Sequence, residues 1–113
     1  MRQIDADQLL HGLLTSLQTQ TARSRAAAAE LLGRMRLEPI TSVDALTKAL
    51  HDQNASVRFY TAHALACYPH EAQSAVPELG RLLQDENSTV QQAARYALAQ
   101  IQGSPSGPGA GEH

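Results

Sequence analysis

The stretch DQNASVRFYTAHALA at residues 52–66 recurs as DENSTVQQAARYALA at residues 85–99, a shift of 33 positions. The two copies share the opening Asp, the Asn two residues on, a Val and the closing Ala-Leu-Ala. A segment that returns at a fixed period of about 20 to 50 residues, with the same turn and apolar positions, is typical of proteins that stack similar units. The repetition therefore predicts a fold, and it says little about function.

The repetition extends beyond this stretch on both sides. Glu38 matches Glu71 upstream, and residues 5–36 match the later units less closely. An end unit is expected to diverge because one of its faces meets no neighbouring repeat. We predict a repeat domain over residues 1–102, with repeats at about 5–36, 38–69 and 71–102.

Each repeat carries the signals of two helices joined by a short turn. Asp5 and Gln8 have the spacing of a capping box, and Asn54 and Asn87 are suited to cap the second helices of the later repeats. The first helix is therefore predicted to begin after Asp5. The other predicted helices cover residues 22–35, 42–51, 55–68, 74–84 with Ser74 as the cap, and 87–102 with Asn87 as the cap.

The composition favours helices and excludes several classes of protein. Of the 113 residues 42% are hydrophobic, but only four are aromatic, and the apolar mass is Ala and Leu, which have high helix propensity. The formal net charge of −2 gives no general attraction to nucleic acid or anionic lipid. The single cysteine, Cys67, excludes an internal disulfide. With no signal-peptide-like or membrane-spanning apolar run, we expect a cytoplasmic protein without a membrane partner.

The final segment differs from the rest of the chain. Residues 103–113 read GSPSGPGAGEH and contain no apolar side chain larger than Ala. Such a segment buries too little surface to offset the entropy lost on ordering. We predict a disordered Gly/Pro/Ser-rich tail over residues 103–113.

The turn and helix at residues 52–66 resemble HEAT repeats, in particular the short class named after phycobilisome lyases. Units of that class read as an Asp-rich turn, then Val-Arg, then an Ala-Ala-x-Ala-Leu-Gly helix. Here Ala66 stands in place of the Gly, Gln91 replaces the Arg in the third repeat, and the first repeat keeps Arg25 but has Ser24 in place of Val. The resemblance implies an all-α fold, a short right-handed α-solenoid of three HEAT-like helical hairpins with six helices.

Positions that stay apolar at equivalent places predict the core. In the second helices these positions recur at the spacing of one helix face. The predicted core residues are Ala28, Thr61 and Ala94, then Leu31, Ala64 and Ala97, then Leu32, Leu65 and Leu98, then Met35, Tyr68 and Ile101, with Val57 and Val90 one turn earlier.

Positions that vary between apolar and polar predict a free surface. They form a stripe along the second helices: Ala26, Glu30 and Arg34, then Phe59, His63 and Cys67, then Gln92, Tyr96 and Gln100. In HEAT-like stacks the second helices line the concave side, so the resemblance implies that this stripe is a groove. Phe59 and Tyr96 would be aromatic anchors among polar contacts, as a protein or peptide partner requires. The alternative is that the stripe is an ordinary solvated surface that binds no partner.

Two other groups of residues suggest chemistry only weakly. His63, Cys67 and His70 lie at i, i+4 and i+7 and could supply three zinc ligands, but Pro69 separates His70 from the helix and no fourth ligand is evident. An ordinary half-buried cysteine is the better interpretation.

The arginine group of the first repeat could contact phosphates, but interspersed glutamates dilute its positive charge, so we expect no nucleic-acid partner. Its members are Arg23, Arg25, Arg34 and Arg36.

The sequence contains no assembled catalytic constellation and indicates no cofactor. We therefore expect a non-catalytic module or scaffold for protein–protein interaction that binds through the concave face. The alternative is an accessory subunit of a tetrapyrrole (bilin) lyase or of a metal-dependent process. Because the ends of a three-repeat stack expose side chains that further repeats would cover, self-association into a homo-oligomer through a repeat end is also predicted.

Overall fold

A computed structural model describes residues 5–103 of the chain. This part contains six α-helices and no strand, which confirms the predicted all-α class and the number of helices. The helices are α1 (Ala6–Ser16), α2 (Ala22–Met35), α3 (Pro39–Ala49), α4 (Ala55–Ala66), α5 (Val76–Leu82) and α6 (Ser88–Gln102), with a 3-10 turn (Ala72–Ala75) before α5. Apart from Gly103, the predicted disordered tail lies outside the described residues. None of the described helices is long and apolar enough to cross a membrane.

The predicted bounds of α3, α4 and α5 are wrong at one or both ends. Helix α3 begins at Pro39 instead of Ser42, because proline fits a first helical turn, where its missing amide has no partner to lose. Helix α4 ends at Ala66 because the Cys67 and Tyr68 amides bond to carbonyls three residues back, which tightens the last turn. Ser74 does not cap α5 but lies in the 3-10 turn.

The polar caps behave largely as predicted. Asp5 and Gln8 form a reciprocal capping box at the start of α1. The Asn54 and Asn87 side chains each accept hydrogen bonds from the amides two and three residues on. Thr21 occupies the equivalent position before α2 but makes no side-chain cap hydrogen bond. The later two repeats therefore have better-capped second helices than the first.

The three second helices pack side by side. Helix α4 lies in the middle and contacts α2 on one flank and α6 on the other. The first helix of each repeat packs on the second helix of the same repeat. This arrangement places equivalent faces of α2, α4 and α6 along one surface.

Two of the predicted core residues are exposed, and one is half-buried. Leu98 is half-buried against the core, and most of the other predicted core residues are buried. Leu31 and Met35, however, are 41% and 44% exposed, so their assignment to the core is wrong. The equivalent residues Ala64 and Tyr68 are covered because a preceding repeat packs on α4, and no described helix covers that face of α2.

Two arginines connect successive repeats through paired hydrogen bonds. The Arg25 guanidinium donates to the Asp52 carboxylate at 2.7 and 3.0 Å. Arg58 donates to Asp85 in the same way, at 2.9 and 3.1 Å. A third nitrogen of each arginine donates to two carbonyls in the turn of its own repeat. We call this set of contacts the arginine ladder, and it fixes each turn to the turn of the next repeat.

The third repeat ends the ladder. Gln91 occupies the position of Arg58, and its side-chain amide donates to the carbonyl of Asp85 in its own turn. Glutamine thus keeps the contact within the repeat and carries no charge that would need an acidic partner in a following unit.

The ladder shifts the pKa values of its members. Burial acts to raise the pKa of Asp85, but hydrogen bonds from Arg58 and the Asn87 amide, with the arginine charge, outweigh it and hold the pKa below its ordinary value of 3.8. The pKa of Asp52 is lowered by a similar balance, with burial opposed chiefly by the hydrogen bond from Arg25. That same hydrogen bond raises the pKa of Arg25.

These shifts predict acid sensitivity. A carboxylate whose pKa is lower in the folded than in the unfolded chain contributes stability above its unfolded pKa, and the contribution is lost as the pH falls through the folded pKa. We therefore expect the free energy of unfolding to be level from neutral pH to about pH 5 and to fall below about pH 4. The test is urea unfolding of wild type and Asp85→Asn across this range. The stability difference between them should be largest at neutral pH and shrink in acid; a constant difference would contradict the linkage.

Candidate functional site

Four rings form a continuous row across the surface of α4 and α6. The centroid of the His63 ring lies 4.7 Å from that of Phe59 and 5.1 Å from that of Tyr96. The His63 and Tyr96 rings are stacked. Tyr60 meets the Phe59 ring edge-on at 5.0 Å. Because α4 supplies Phe59 and His63 one turn apart and α6 lies alongside, Tyr96 reaches the row from the neighbouring helix. We call these four side chains the aromatic row.

A depression of about 250 Å³ lies beside the aromatic row, between α2 and α4. We call it the α4 groove. A β-carbon at Gly33 would lie 2.7 Å from the Ala64 Cα, so the two helix backbones approach closely here. The lining residues are Glu30, Gly33 and Arg34 from α2, Phe59, Tyr60, His63, Ala64 and Cys67 from α4, and Tyr96 from α6.

The structure brings together six of the eight predicted binding residues. Glu30, Arg34, Phe59, His63, Cys67 and Tyr96 all line the α4 groove. Gln92 and Gln100 are exposed on α6 but are not among the lining residues. Ala26, which was assigned to the same free stripe, is buried at 7% exposure because it faces α4, so that assignment is wrong.

Tyr60 is a site residue that the variable stripe of the sequence does not include. Its side chain lines the α4 groove and two neighbouring depressions, one towards α2 and one towards the start of α6. The equivalent residues in the other repeats are Ala27 and Ala93. A tyrosine standing between two alanines in the repeat register is a signal that could have identified it.

The rim of the α4 groove is close to electrically neutral. Glu30 and Arg34 lie one turn apart on α2 and approach within 3.7 Å, with both side chains largely exposed. An exposed pair of this kind contributes little to stability, but its charges offset each other. The remaining lining side chains are aromatic or small, apart from the Cys67 thiol.

The histidine and cysteine candidates for a metal site are His63, Cys67 and His70. In residues 5–103 no group of three His, Cys, Asp or Glu side chains is arranged to hold a metal ion. The Cys67 thiol faces the His63 carbonyl of its own helix at 3.7 Å. His70 is exposed in the segment after α4, beyond the turn that ends the helix.

The arginine concentration of the first repeat is not a uniform basic patch. Arg25 donates hydrogen bonds to Asp52 and to two turn carbonyls. Arg34 pairs with Glu30. Two of the four arginines therefore have acidic partners, which offset their charge towards phosphates.

Comparison with known proteins supports the repeat assignment. A family model described as HEAT repeats matches residues 43–108, which covers most of α3 and all of α4 to α6. No curated protein sequence matches the chain. The first repeat lies outside the matched region, yet Arg25 joins it to Asp52 just as Arg58 joins the second repeat to Asp85. The chain belongs to the HEAT-repeat family.

Proposed function

We propose that this chain is a non-catalytic protein-interaction module that binds a peptide segment of a protein partner in the α4 groove. An uncharged, apolar side chain of the peptide would fill the depression. The aromatic row is the observation that carries the proposal. Three repeats contribute to the groove and its rim, so the binding surface depends on the stack as a whole.

The chemistry of the α4 groove supports an apolar anchor. Tyr96 is 49% exposed, although large aromatic side chains are usually covered in a folded domain. Aromatic side chains dominate the energetics of many protein interfaces, because they bury much area with little loss of side-chain entropy. The offset charges of Glu30 and Arg34 give no reason for a charged anchor.

The rim offers hydrogen bonds that would orient a peptide. The Tyr60 and Tyr96 hydroxyls and the His63 ring can donate or accept, and all three side chains are exposed. An apolar centre with a polar rim is the usual anatomy of a protein interface. HEAT repeats commonly serve as protein-interaction scaffolds, which agrees with this use of the groove.

The finer resemblance to phycobilisome-lyase repeats stays a prediction. It would make the chain an accessory subunit that handles a tetrapyrrole with a partner protein. No feature of the α4 groove specifically favours that role over peptide binding. Visible colour in purified protein would favour the tetrapyrrole alternative.

The proposal is tested by selecting binders from a displayed random-peptide library with the wild-type chain. Selected peptides should share an apolar or aromatic anchor. In fluorescence anisotropy, Tyr96→Ala should weaken their binding at least about tenfold, which is typical of the loss of an aromatic anchor. Gln100→Ala is the matched control, because Gln100 is exposed one turn further along α6 and does not line the groove.

Folding is checked separately by helical circular dichroism, which neither substitution should change. His63→Ala is a second variant, which removes the ring that stacks on Tyr96. Peptides that bind Tyr96→Ala and His63→Ala as tightly as wild type would exclude the α4 groove as their site.

A further inference from the structure

One end of the helix row carries an apolar stripe. Ala27, Leu31 and Met35 recur at four-residue spacing on α2, and all three are exposed. Ala27 also borders a depression that α2 shares with α4. The stripe as a whole lies on the far side of α2 from Ala29 and Gly33, which are buried. We call it the α2 end face.

At the positions of Leu31 and Met35, the other two repeats are covered. Ala64 and Ala97 occupy the position of Leu31 and are 3% and 0% exposed. Tyr68 and Ile101 occupy the position of Met35 and are 0% and 2% exposed. Within the chain this surface is therefore the one that receives the preceding second helix, and the α2 end face is continuous in register with those interfaces.

The side chains on the α2 end face do not suit another repeat at the same spacing. Between α2 and α4, the backbones approach so closely that Gly33 has no room for a β-carbon against Ala64. Leu31, at the position of Ala64, would fill that gap. A helix that packs on Leu31 must therefore lie further away than α2 lies from α4.

The opposite end of the row is polar. The outward face of α6 carries Arg95 and Gln92, both exposed. Arg95 stands at the position of Ala29 and Ala62, which are fully buried between repeats. A head-to-tail stack of copies would bury this arginine against Leu31, so the two ends do not complement each other.

We propose that the α2 end face pairs with the same face of a second copy across a two-fold axis, with the two α2 helices antiparallel. Leu31 then lies near the axis and meets its own counterpart. Ala27 of one copy lies opposite Met35 of the other, so a small side chain faces a large one. Self-complementarity of this kind is what a two-fold interface requires.

The expected association is weak and reversible. The stripe covers one helix face, which is smaller than the roughly 800 Å² per partner of a stable interface. The dimer should therefore appear only in the upper part of a concentration series. This surface is separate from the α4 groove, so peptide binding and self-association fail independently.

The first test is sedimentation equilibrium of the full chain over a wide concentration range. Wild type should fit a monomer–dimer equilibrium without larger species. Leu31→Glu should weaken association at least about tenfold, because like charges would meet at the axis. Ala99→Glu is the matched control: Ala99 is exposed on the outward face of α6, and association should be unchanged.

A crosslinking test distinguishes the two-fold arrangement from other contacts. Helices whose axes are 8–10 Å apart bring directly facing Cα atoms to roughly 5 Å, which a disulfide can span. In a Cys67→Ser background, Leu31→Cys should form a covalent dimer on mild oxidation, and Ala99→Cys should not. A monomer at all concentrations, larger open assemblies, or crosslinking through position 99 alone would each overturn the proposal.

Discussion

Replacing Arg58 with alanine is expected to lower the free energy of unfolding by roughly 3–5 kcal/mol, the range for removing one partner of a buried ion pair. Arg58 is only 8% exposed. It donates two hydrogen bonds to Asp85 and one each to the carbonyls of Asp52 and Gln53. Alanine would leave a shielded carboxylate and two carbonyls without these donors, and no other side chain in the described contacts replaces them.

The loss should lie towards the lower end of that range, because water can reach the edge of the turn when the arginine is removed. Urea unfolding followed by circular dichroism gives the measurement. Arg34→Ala is the control, since its pair with Glu30 is exposed and should contribute no more than about 1 kcal/mol. Equal effects of the two substitutions would show that the arginine ladder does not stabilise the stack.

A second variant separates the two functions of Arg58. Arg58→Gln imitates Gln91, which holds its own turn through the Asp85 carbonyl. Glutamine should recover the contact to the turn of the second repeat but not the paired hydrogen bonds to Asp85. Its stability is therefore expected between those of wild type and Arg58→Ala.

The pairs of the arginine ladder cannot be predicted from the sequence of one helix at a time. Arg25 and Arg58 were visible as parts of a recurring motif, but their partners lie 27 residues away in the next repeat. The sequence holds a signal for this pairing. The arginine is replaced by Gln91 in the last repeat and the aspartate by Thr19 in the first, as expected if each arginine pairs with the following aspartate.

Repeat register predicted most of the fold, because equivalent positions share an environment wherever a neighbour is present. It located α2 and α6 within their observed bounds and identified the asparagine caps. It failed at Leu31 and Met35 because an apolar residue at an end repeat keeps its register while losing its neighbour.

The candidate site was predictable only in part. The variable stripe predicted Phe59, His63 and Tyr96 on one surface, since helical spacing and the 33-residue shift determine their relative places. The depth of the α4 groove was not predictable. It depends on how closely α2 approaches α4, and that distance is determined by side-chain size at Gly33 and Ala64.

Replacing Gly33 with alanine is expected to destabilise the chain, although the same substitution within an exposed helix stabilises it. In a helix interior, alanine favours the helix over glycine by about 1 kcal/mol of free energy. At Gly33 the added β-carbon would lie 2.7 Å from the Ala64 Cα and 2.9 Å from its Cβ. A backbone atom cannot rotate away, so α2 and α4 must separate, and overpacking of this kind costs roughly 1–3 kcal/mol.

Gly12→Ala provides the matched control, because a β-carbon at Gly12 in α1 meets nothing within 4 Å. Thermal and urea unfolding should therefore show opposite signs, with Gly12→Ala stabilising and Gly33→Ala destabilising. Stabilisation by both would mean that the two helices can separate without loss. At the equivalent position of α4 the chain already has Ala66, buried at 8% exposure. The close approach is thus particular to the α2–α4 contact, where it forms the floor of the α4 groove.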